Sequence, residues 1–481
     1  MEVLQRTANR GSISTGYDID NSLKFEDDND EWLYRTNASG TNTKTWTVSW
    51  WFKQTELRSV NGAATEHWTG GAYGEATRAG IFADDRIWID IGGGDGNTGT
   101  RFRSLSTAKL RDTSAWYHIV IACDSTQSTE ADRLKVWLNG VEVTEWDQHQ
   151  IPTLNFASAL AGFGGIQMKW GSADATYHGY SGYLAECNYV DGVTATQNDF
   201  GEFDADSGIW KPIEYTGSYG TNGCYLDFET ASDLGANAKG DDRNFSLNNI
   251  TAADQATDTP TNNFCTYNSI MYMFGNTYVT EGATKTAKSN QNWITPMPTM
   301  GVSKGKWYAE FEFVNTSIDS MVGVVPMGES GFEGSGVTNS NSYLGQSTNS
   351  IGYYGQQGNK YNNGSGSSYG NSYVAGDKMA VALDMDNGKV YFAKNGTWQN
   401  SGDPTSGSTG TGALDLIQPT ETHGIASSIW GNNSACLSNY GGYTTISISS
   451  AESDANGYGT FEYAPPSGYY SICSQNLAEK G

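Results

Sequence analysis

"LDMDNGKVYFAKNGTW", Leu383 to Trp398, places Asn-Gly twice within sixteen residues. Asn and Gly both tolerate positive φ, which a two-residue type I′ hairpin loop demands at both central positions. Each pair is therefore expected to reverse a strand. With Asn387-Gly388 as the loop, Asp386 faces Lys389, Met385 faces Val390, Asp384 faces Tyr391 and Leu383 faces Phe392. Side chains alternate with period two, so Leu383, Met385, Val390 and Phe392 share an apolar face, and Asp384, Asp386, Lys389 and Tyr391 a solvated one. An opposite-charge pair such as Asp386/Lys389 adds about 0.5 kcal/mol to that register. The stretch reads as a half-buried antiparallel meander.

Far upstream, "RLKVWLNGVEVTEW" (Arg133 to Trp146) obeys the same rule. With Asn139-Gly140 as the loop, Leu138 faces Val141 and Val136 faces Val143 on the apolar side, while Trp137, Lys135, Glu142 and Thr144 share the other. Two distant stretches with one design predict two β domains. The 481 residues allow about two to four domains, each half being long enough to bury its own core.

Composition agrees: 59 Gly, 10 Pro and 12% aromatic residues favour strands and turns, and no long window keeps helical spacing. No stretch approaches the roughly 20 apolar residues of a membrane span. The opening "MEVLQRTANRG" lacks the basic start and apolar core of a signal peptide. The expectation is a soluble chain that is neither inserted in a membrane nor exported by that route. Cys123, Cys187, Cys224, Cys265, Cys436 and Cys473 stand singly, which predicts small buried hydrophobes rather than a disulfide scaffold or zinc site.

A formal charge of −25, from 53 acidic against 28 basic residues with no basic run, argues against nucleic acid and anionic lipid as partners. Acidity of this kind keeps a concentrated or particle-bound protein soluble.

The first domain is expected over residues 1–228, where short alternating segments recur. In "TWTVSWWF", Trp46, Val48 and Trp50 share one face, and Thr47, Ser49 and Trp51 the other. Residues 229–260 lose the alternation and read as an irregular linker, with Phe245, Leu247 and Ile250 strapping it onto a domain surface. The second domain is expected over 261–481. There "KWYAEFEFV" puts Trp307, Ala309, Phe311 and Phe313 on one face. The Gly-, Ser-, Asn- and Tyr-rich stretch between Met327 and Asp377 repeats tyrosine often enough to predict short strands and long loops.

Several of these segments resemble known families. "AWYHIVIACDSTQSTEADRLKVWLNGVEV" (Ala115 to Val143) resembles laminin-G-like, concanavalin-type jelly rolls. "SLKFEDDNDEWLYRT", "GYLAECNYVDG", "GEFDADSGIWKPIEYTGSYGTNGCYLDF" and "DTPTNNFCTYN" are similar to virion proteins of tailed phages, notably marine ones. "GKWYAEFEF", "GDKMAVALDMDNGKVYFAKNGTW" and "APPSGYYSICSQNL" resemble the opening, central and closing motifs of SPRY domains. The resemblance implies an all-β chain of two concanavalin-like antiparallel β-sandwiches. The Gly-rich loops after Val325 depart from the binding loops of SPRY domains that grip short peptides, so that ligand class does not transfer.

Candidate chemistry is sparse. "GDGNTG" (Gly94 to Gly99) matches G-x-G-x-x-G without a following helix, and "GSSYG" (Gly366 to Gly370) matches G-x-S-x-G without the strand-turn-helix elbow that would activate Ser368. Glu310/Glu312 and Asp384/Asp386 are carboxylates two apart on strands, a spacing glycosidases use, but they are expected on solvated faces. His67, His118, His149, His178 and His423 share no i, i+4 spacing. "DDND" (Asp27 to Asp30) is the densest acidic run and the candidate for calcium, which many laminin-G-like domains bind. No other cofactor is expected.

Tyr and Trp together outnumber Phe, 28 and 15 against 17. Their rings offer apolar faces with one polar tip, suited to stacking on sugars or docking on proteins. Trp68, Tyr73, Trp170, Tyr177, Tyr353, Tyr354 and Tyr361 are the candidate ligand contacts, expected on loops. Taken with these features, the resemblance to phage virion proteins implies a non-enzymatic phage protein on the virion surface, part of a tail fibre or other appendage that binds host envelope glycan or protein. By analogy with phage fibres, it would be a homotrimer contacting other virion proteins. A structural capsid-decoration or tail-linking role is the alternative, followed by a glycan hydrolase using Glu310/Glu312.

Overall fold

The computed structural model describes residues 16–37, 42–57, 64–70, 76–93, 99–160, 167–171, 179–240, 243–270, 277–288, 292–314, 319–328 and 342–481. They form two compact units, one up to Thr261 and one from Asn262 onward. Both are built of antiparallel sheets, with one short parallel pairing, Trp307 with Tyr470. The chain is all-β, as its alternation predicts.

In the first unit, one eight-stranded sheet centres on Thr45–Gln54, flanked by Tyr117–Asp124 and Gly182–Asp191. The second runs from Trp146–His149 through Arg101–Lys109, Arg86–Gly92, Arg78–Ile81, Thr65–Thr69, Gln167–Trp170 and Trp32–Thr36 to Ser246–Asn248. Trp46, Val48 and Trp50 from one sheet meet Ile87, Ile89, Ile91 and Leu33 from the other, closing a sandwich core. Asn139 and Gly140 take φ of 48° and 78°, and Leu138 pairs with Val141, so this hairpin closes in the expected register.

Residues 229–260 contribute to the same unit. Ser246–Asn248 pairs with Trp32–Thr36, Gln255–Ala256 pairs with Ser22–Phe25, and Leu234, Phe245 and Ile250 enter the core. Asp258, fully buried, accepts from Lys53 Nζ at 2.7 Å and Trp116 Nε1 at 3.0 Å. The expected strap is thus woven into both sheets.

The second unit packs a nine-stranded sheet, centred on Lys306–Phe313, Lys378–Asp384 and Lys389–Lys394, against a six-stranded one. The six-stranded sheet runs in the order Trp293–Ile294, His423–Trp430, Asp319–Pro326, Ile351–Tyr354, Asn359–Asn362 and Ser365–Ser368. Trp307, Phe311, Val381 and Phe392 meet Val322, Val324, Tyr353 and Ile425 in its core. Three of the strands arise in the Gly- and Tyr-rich stretch; residues 329–341 of that stretch lie outside the described residues. The α-helix Ser474–Lys480 closes the chain.

The first Asn-Gly pair behaves differently from the second. Asn395 and Gly396 take φ of 47° and 76° and Lys394 pairs with Thr397, a two-residue loop. At Asn387-Gly388 only the glycine has positive φ, 63°. Here Asp384 pairs with Lys389 and Leu383 with Val390, so the register sits two residues from the expected one and the loop has four residues, Met385 to Gly388. The cause is Asp384, whose carboxylate accepts from Asn387 N at 3.0 Å and Nδ2 at 2.8 Å, drawing the turn back toward the strand. A shift of two preserves the faces, and Leu383, Val390 and Phe392 remain inside.

The faces expected to be wet are roofed. Tyr308, Ala380, Ala382, Tyr391 and Ala393 are covered by Phe461 and Tyr469, and Val120, Ala122, Trp137 and Val190 by Ala195, Phe200, Tyr215 and Tyr219. Trp51 stacks on His118 at 4.6 Å; Trp210 Nε1 donates to His118 Nδ1 at 3.0 Å. Burial holds His118 near pKa 3, hence neutral. Asp384 is fully buried on such a face and pairs with Lys306 Nζ at 3.1 Å, while Asp386 accepts from Gly305 N and Lys389 pairs with Asp415. A strand register shift between Ala185 and Asn188 surrounds Glu186, which has φ of 50° and accepts from the Tyr17 and Tyr225 hydroxyls, both at 2.8 Å. All six cysteines are buried and unbridged.

Candidate functional site

The expectation that the chosen aromatics stand on loops fails for the residues that carry most ring area. Trp68 and Trp170 lie in strands, pair with each other across the sheet and are 1% and 0% exposed. Their centroids are 6.5 Å apart, and Trp68 also meets Trp46 and Tyr189. Tyr353 is likewise sealed in the core, its ring 5.4 Å from those of Phe392, Tyr369 and Tyr373. Large flat rings span the gap between two sheets more completely than aliphatic ones, which is why these positions face inward. Tyr73 and Tyr177 lie outside the described residues, as does all of "GDGNTG" except Gly99.

Tyr354 and Tyr361 face the other way. Adjacent strand residues alternate, so with Tyr353 inside, Tyr354 lies on the outer face of the six-stranded sheet, where it is buried in a cluster with Met297, Leu344 and the neighbouring rings. Cross-strand register carries one row of that surface from Ser428 through Met321 and Tyr354 to Asn359 and Ser368, and the adjacent row from Trp293 through Trp430 to Asp319. Tyr361, opposite Gly352, lies one row away, and Tyr343 packs on the same surface.

Four rings close a circuit there. Trp293 and Tyr343 are 5.4 Å apart, Tyr343 and Tyr361 6.3 Å, Tyr361 and Tyr354 5.5 Å, and Tyr354 and Trp293 6.2 Å, mostly edge to face. The Tyr354 hydroxyl contacts Asp319 Oδ1 and lies 2.9 Å from Gln356 Oε1; burial, then the Asp319 carboxylate, raises its pKa. Trp293, Tyr343, Tyr361, Trp430 and Asp319 are half-buried, and Gln356 and Gln357 exposed. A patch of ring faces bordered by one carboxylate and several amides can stack on an apolar surface while accepting and donating hydrogen bonds at its rim. Of the residues the sequence singled out, Tyr354 and Tyr361 share this face; Trp293, Asp319 and Tyr343, which it did not single out, lie there with them. The alternation in "DSMVGVV" (Asp319 to Val325), which sets Asp319 and Met321 opposite Val322, was the available signal.

Of the two carboxylate pairs, Asp386 is exposed as expected, whereas Glu310 and Asp384 are buried. Glu310 is 1% exposed; its oxygens accept from the Tyr308 hydroxyl, the backbone N–H groups of Glu462 and Tyr463, all at 2.9 Å, and Asn439 Nδ2 at 3.3 Å. Burial nevertheless raises its pKa. Its chemistry is spent on anchoring the segment that roofs the sheet. Glu312 is half-buried opposite Lys378. Ser368 ends the exposed strand Ser365–Ser368. "DDND" forms a 3-10 turn over Asp27–Asn29, and among the described residues no three His, Cys, Asp or Glu side chains are grouped to hold a cation.

Residues 306–414 match the family model of the SPRY domain. Among solved structures the chain is similar to a human SPRY domain, at 15% identity over 35% of this chain and 96% of that one, with a TM-score of 0.25. It is similar also to the SPRY domain of human HERC1, at 17% identity over 34% and 91% of the two chains with a TM-score of 0.26, and to stonustoxin, at 18% over 36% and 27% with 0.27. No curated protein matches.

Proposed function

We propose that this chain, a SPRY domain at residues 306–414 preceded by a laminin-G-like sandwich, is a non-enzymatic recognition protein on the surface of a tailed-phage particle. It acts in a fibre or other appendage, as a homotrimer in contact with other virion proteins, and binds host envelope glycan or protein. The resemblance of the first unit and of the domain junction to phage virion proteins supports the setting. The observation that carries the binding role is the ring circuit Trp293–Tyr343–Tyr361–Tyr354 beside Asp319 on a sheet face with an exposed amide rim. Such surfaces hold a sugar ring or an apolar side chain by stacking and orient it by the rim.

Fluorescently labelled protein should decorate host cells. Trp293→Ala or Tyr361→Ala, with circular dichroism unchanged, should weaken decoration about tenfold. Competition by free envelope polysaccharide identifies a glycan receptor, and loss after protease treatment of the cells a protein one. Decoration that neither substitution alters refutes the assignment of this face.

A further inference from the structure

In the first unit, the outer face of the eight-stranded sheet that runs from Trp146–His149 to Ser246–Asn248 carries a cationic cluster at odds with the chain's charge of −25. Ile87, Ile89 and Ile91 point into the core, so Trp88 and Asp90 point away from it. Asp90, fully buried, receives three guanidinium groups. Arg103 approaches both carboxylate oxygens, Nε at 2.8 Å and Nη2 at 2.9 Å; Arg78 Nε and Nη2 and Arg101 Nη1 each lie 3.3 Å from Oδ2. Arg78 spends its Nη1 on Glu66 at 2.7 Å. The Trp88 ring lies beneath Arg78 and Arg103, at 4.6 and 5.8 Å. Among the described residues, three cations thus share two carboxylates. The surplus charge sits toward solvent, because the side chains of Arg101 and Arg103 are 41% and 29% exposed whereas that of Arg78 is 6% exposed.

We infer that Arg101 and Arg103 form a receptor for the carboxylate of an acidic sugar, with Asp90 as the positioning residue that fixes both guanidinium groups. A guanidinium presents five N–H donors in a planar fork, and Asp90 uses only the inner ones. Holding the fork on a buried anchor and a ring face removes in advance the rotamer freedom that binding would otherwise cost. Beside it, Gln150 is exposed, and its Oε1 accepts from Arg103 N at 2.9 Å, setting an amide next to the guanidinium pair. The net charge chooses among carboxylates. A nucleic acid, a polyanion or a Glu-rich protein segment carries many charges against a surface of −25 and is repelled before contact, whereas an isolated acidic sugar on an otherwise neutral glycan meets little long-range opposition.

The matched probes are methyl glucuronide and methyl glucoside, which differ only in carboxylate against hydroxymethyl, titrated into the whole chain by saturation-transfer NMR. The glucuronide is expected to bind and the glucoside not. Arg101→Ala, at a position open enough to leave the melting temperature unchanged, should weaken binding about tenfold. Arg101→Lys should restore part of the loss, as charge returns without the fork. Trp293→Ala, in the other unit, should leave glucuronide binding intact, so this site and the aromatic face stand or fall separately. Equal response to both sugars, response to neither, Arg101→Ala without effect, or tighter binding of a tetraglutamate peptide than of the glucuronide would each overturn the inference.

Discussion

Glu186 shows how one residue's burial becomes a property of the fold. Its carboxyl is raised from 4.5 to about 7, chiefly by burial, with Asp227 and Glu229 adding repulsion and the two tyrosine hydroxyls partly offsetting it. The folded value lies above the unfolded one, so the native state binds the proton more tightly. This site therefore costs nothing below about pH 4. Its contribution becomes increasingly unfavourable up to about pH 7, reaching about 3 kcal/mol and staying level above that. Glu186→Gln should flatten this part of the profile, seen as a smaller difference between Tm at pH 4.5 and pH 7.5 than in the parent chain. Glu310→Gln acts differently. An amide facing the N–H groups of Glu462 and Tyr463 offers one acceptor for two donors, and chemical denaturation should register a loss of about 2 kcal/mol. Residue identity told the two cases apart poorly. Both glutamates sit in alternating strands, and only tertiary cover, supplied by segments with no strand pattern, makes either one buried.

Turns were more legible. Asn139-Gly140 and Asn395-Gly396 are two-residue loops with both residues at positive φ, as their chemistry dictates. At Asn387-Gly388 the competing acceptor was Asp384, three residues before Asn387, a local bond that the hairpin rule does not weigh. The hairpins also separate two costs of a methyl group. At Gly208, φ is 70° and nothing lies within 4 Å of an added Cβ; at Gly140, φ is 78° and the Trp210 ring would be 2.2 Å away. Gly208→Ala should cost about 1 kcal/mol from backbone strain alone. Gly140→Ala should cost about 3 kcal/mol, because the indole must also move off His118. Equal losses in urea melts would mean that the roof over this sheet yields freely.

For the molecule as a whole, period-two alternation was enough to assign an all-β chain with two sandwich cores. Trp46, Val48, Trp50, Trp307, Phe311 and Phe313 all lie where that alternation put them. It failed for the candidate contacts, because abundance of tyrosine and tryptophan does not distinguish a ring that spans a core from one that meets a ligand. Trp68 and Tyr353 are the former, whereas Tyr361 is half-buried on the outer face of the six-stranded sheet. The 229–260 segment likewise has too few apolar residues to read as strands, yet it supplies the partner of a buried lysine. A fragment ending at Phe228 would leave Lys53 without Asp258 in the interior, a penalty of about 3 to 5 kcal/mol beyond the lost strands, whereas a fragment ending at Thr261 keeps the pair. Soluble expression and cooperative melting are expected only of the longer fragment.

The six sequestered thiols set the conditions under which the chain can mature. Burial raises the Cys123, Cys436 and Cys473 thiols to about 12, so almost no thiolate exists to attack a disulfide or meet an oxidant. Covalent cross-linking contributes nothing to the fold, so dithiothreitol and diamide alike should leave its Tm unmoved. A chain of this kind can reach its native state beside glutathione and then persist in aerated water without any change of bonding.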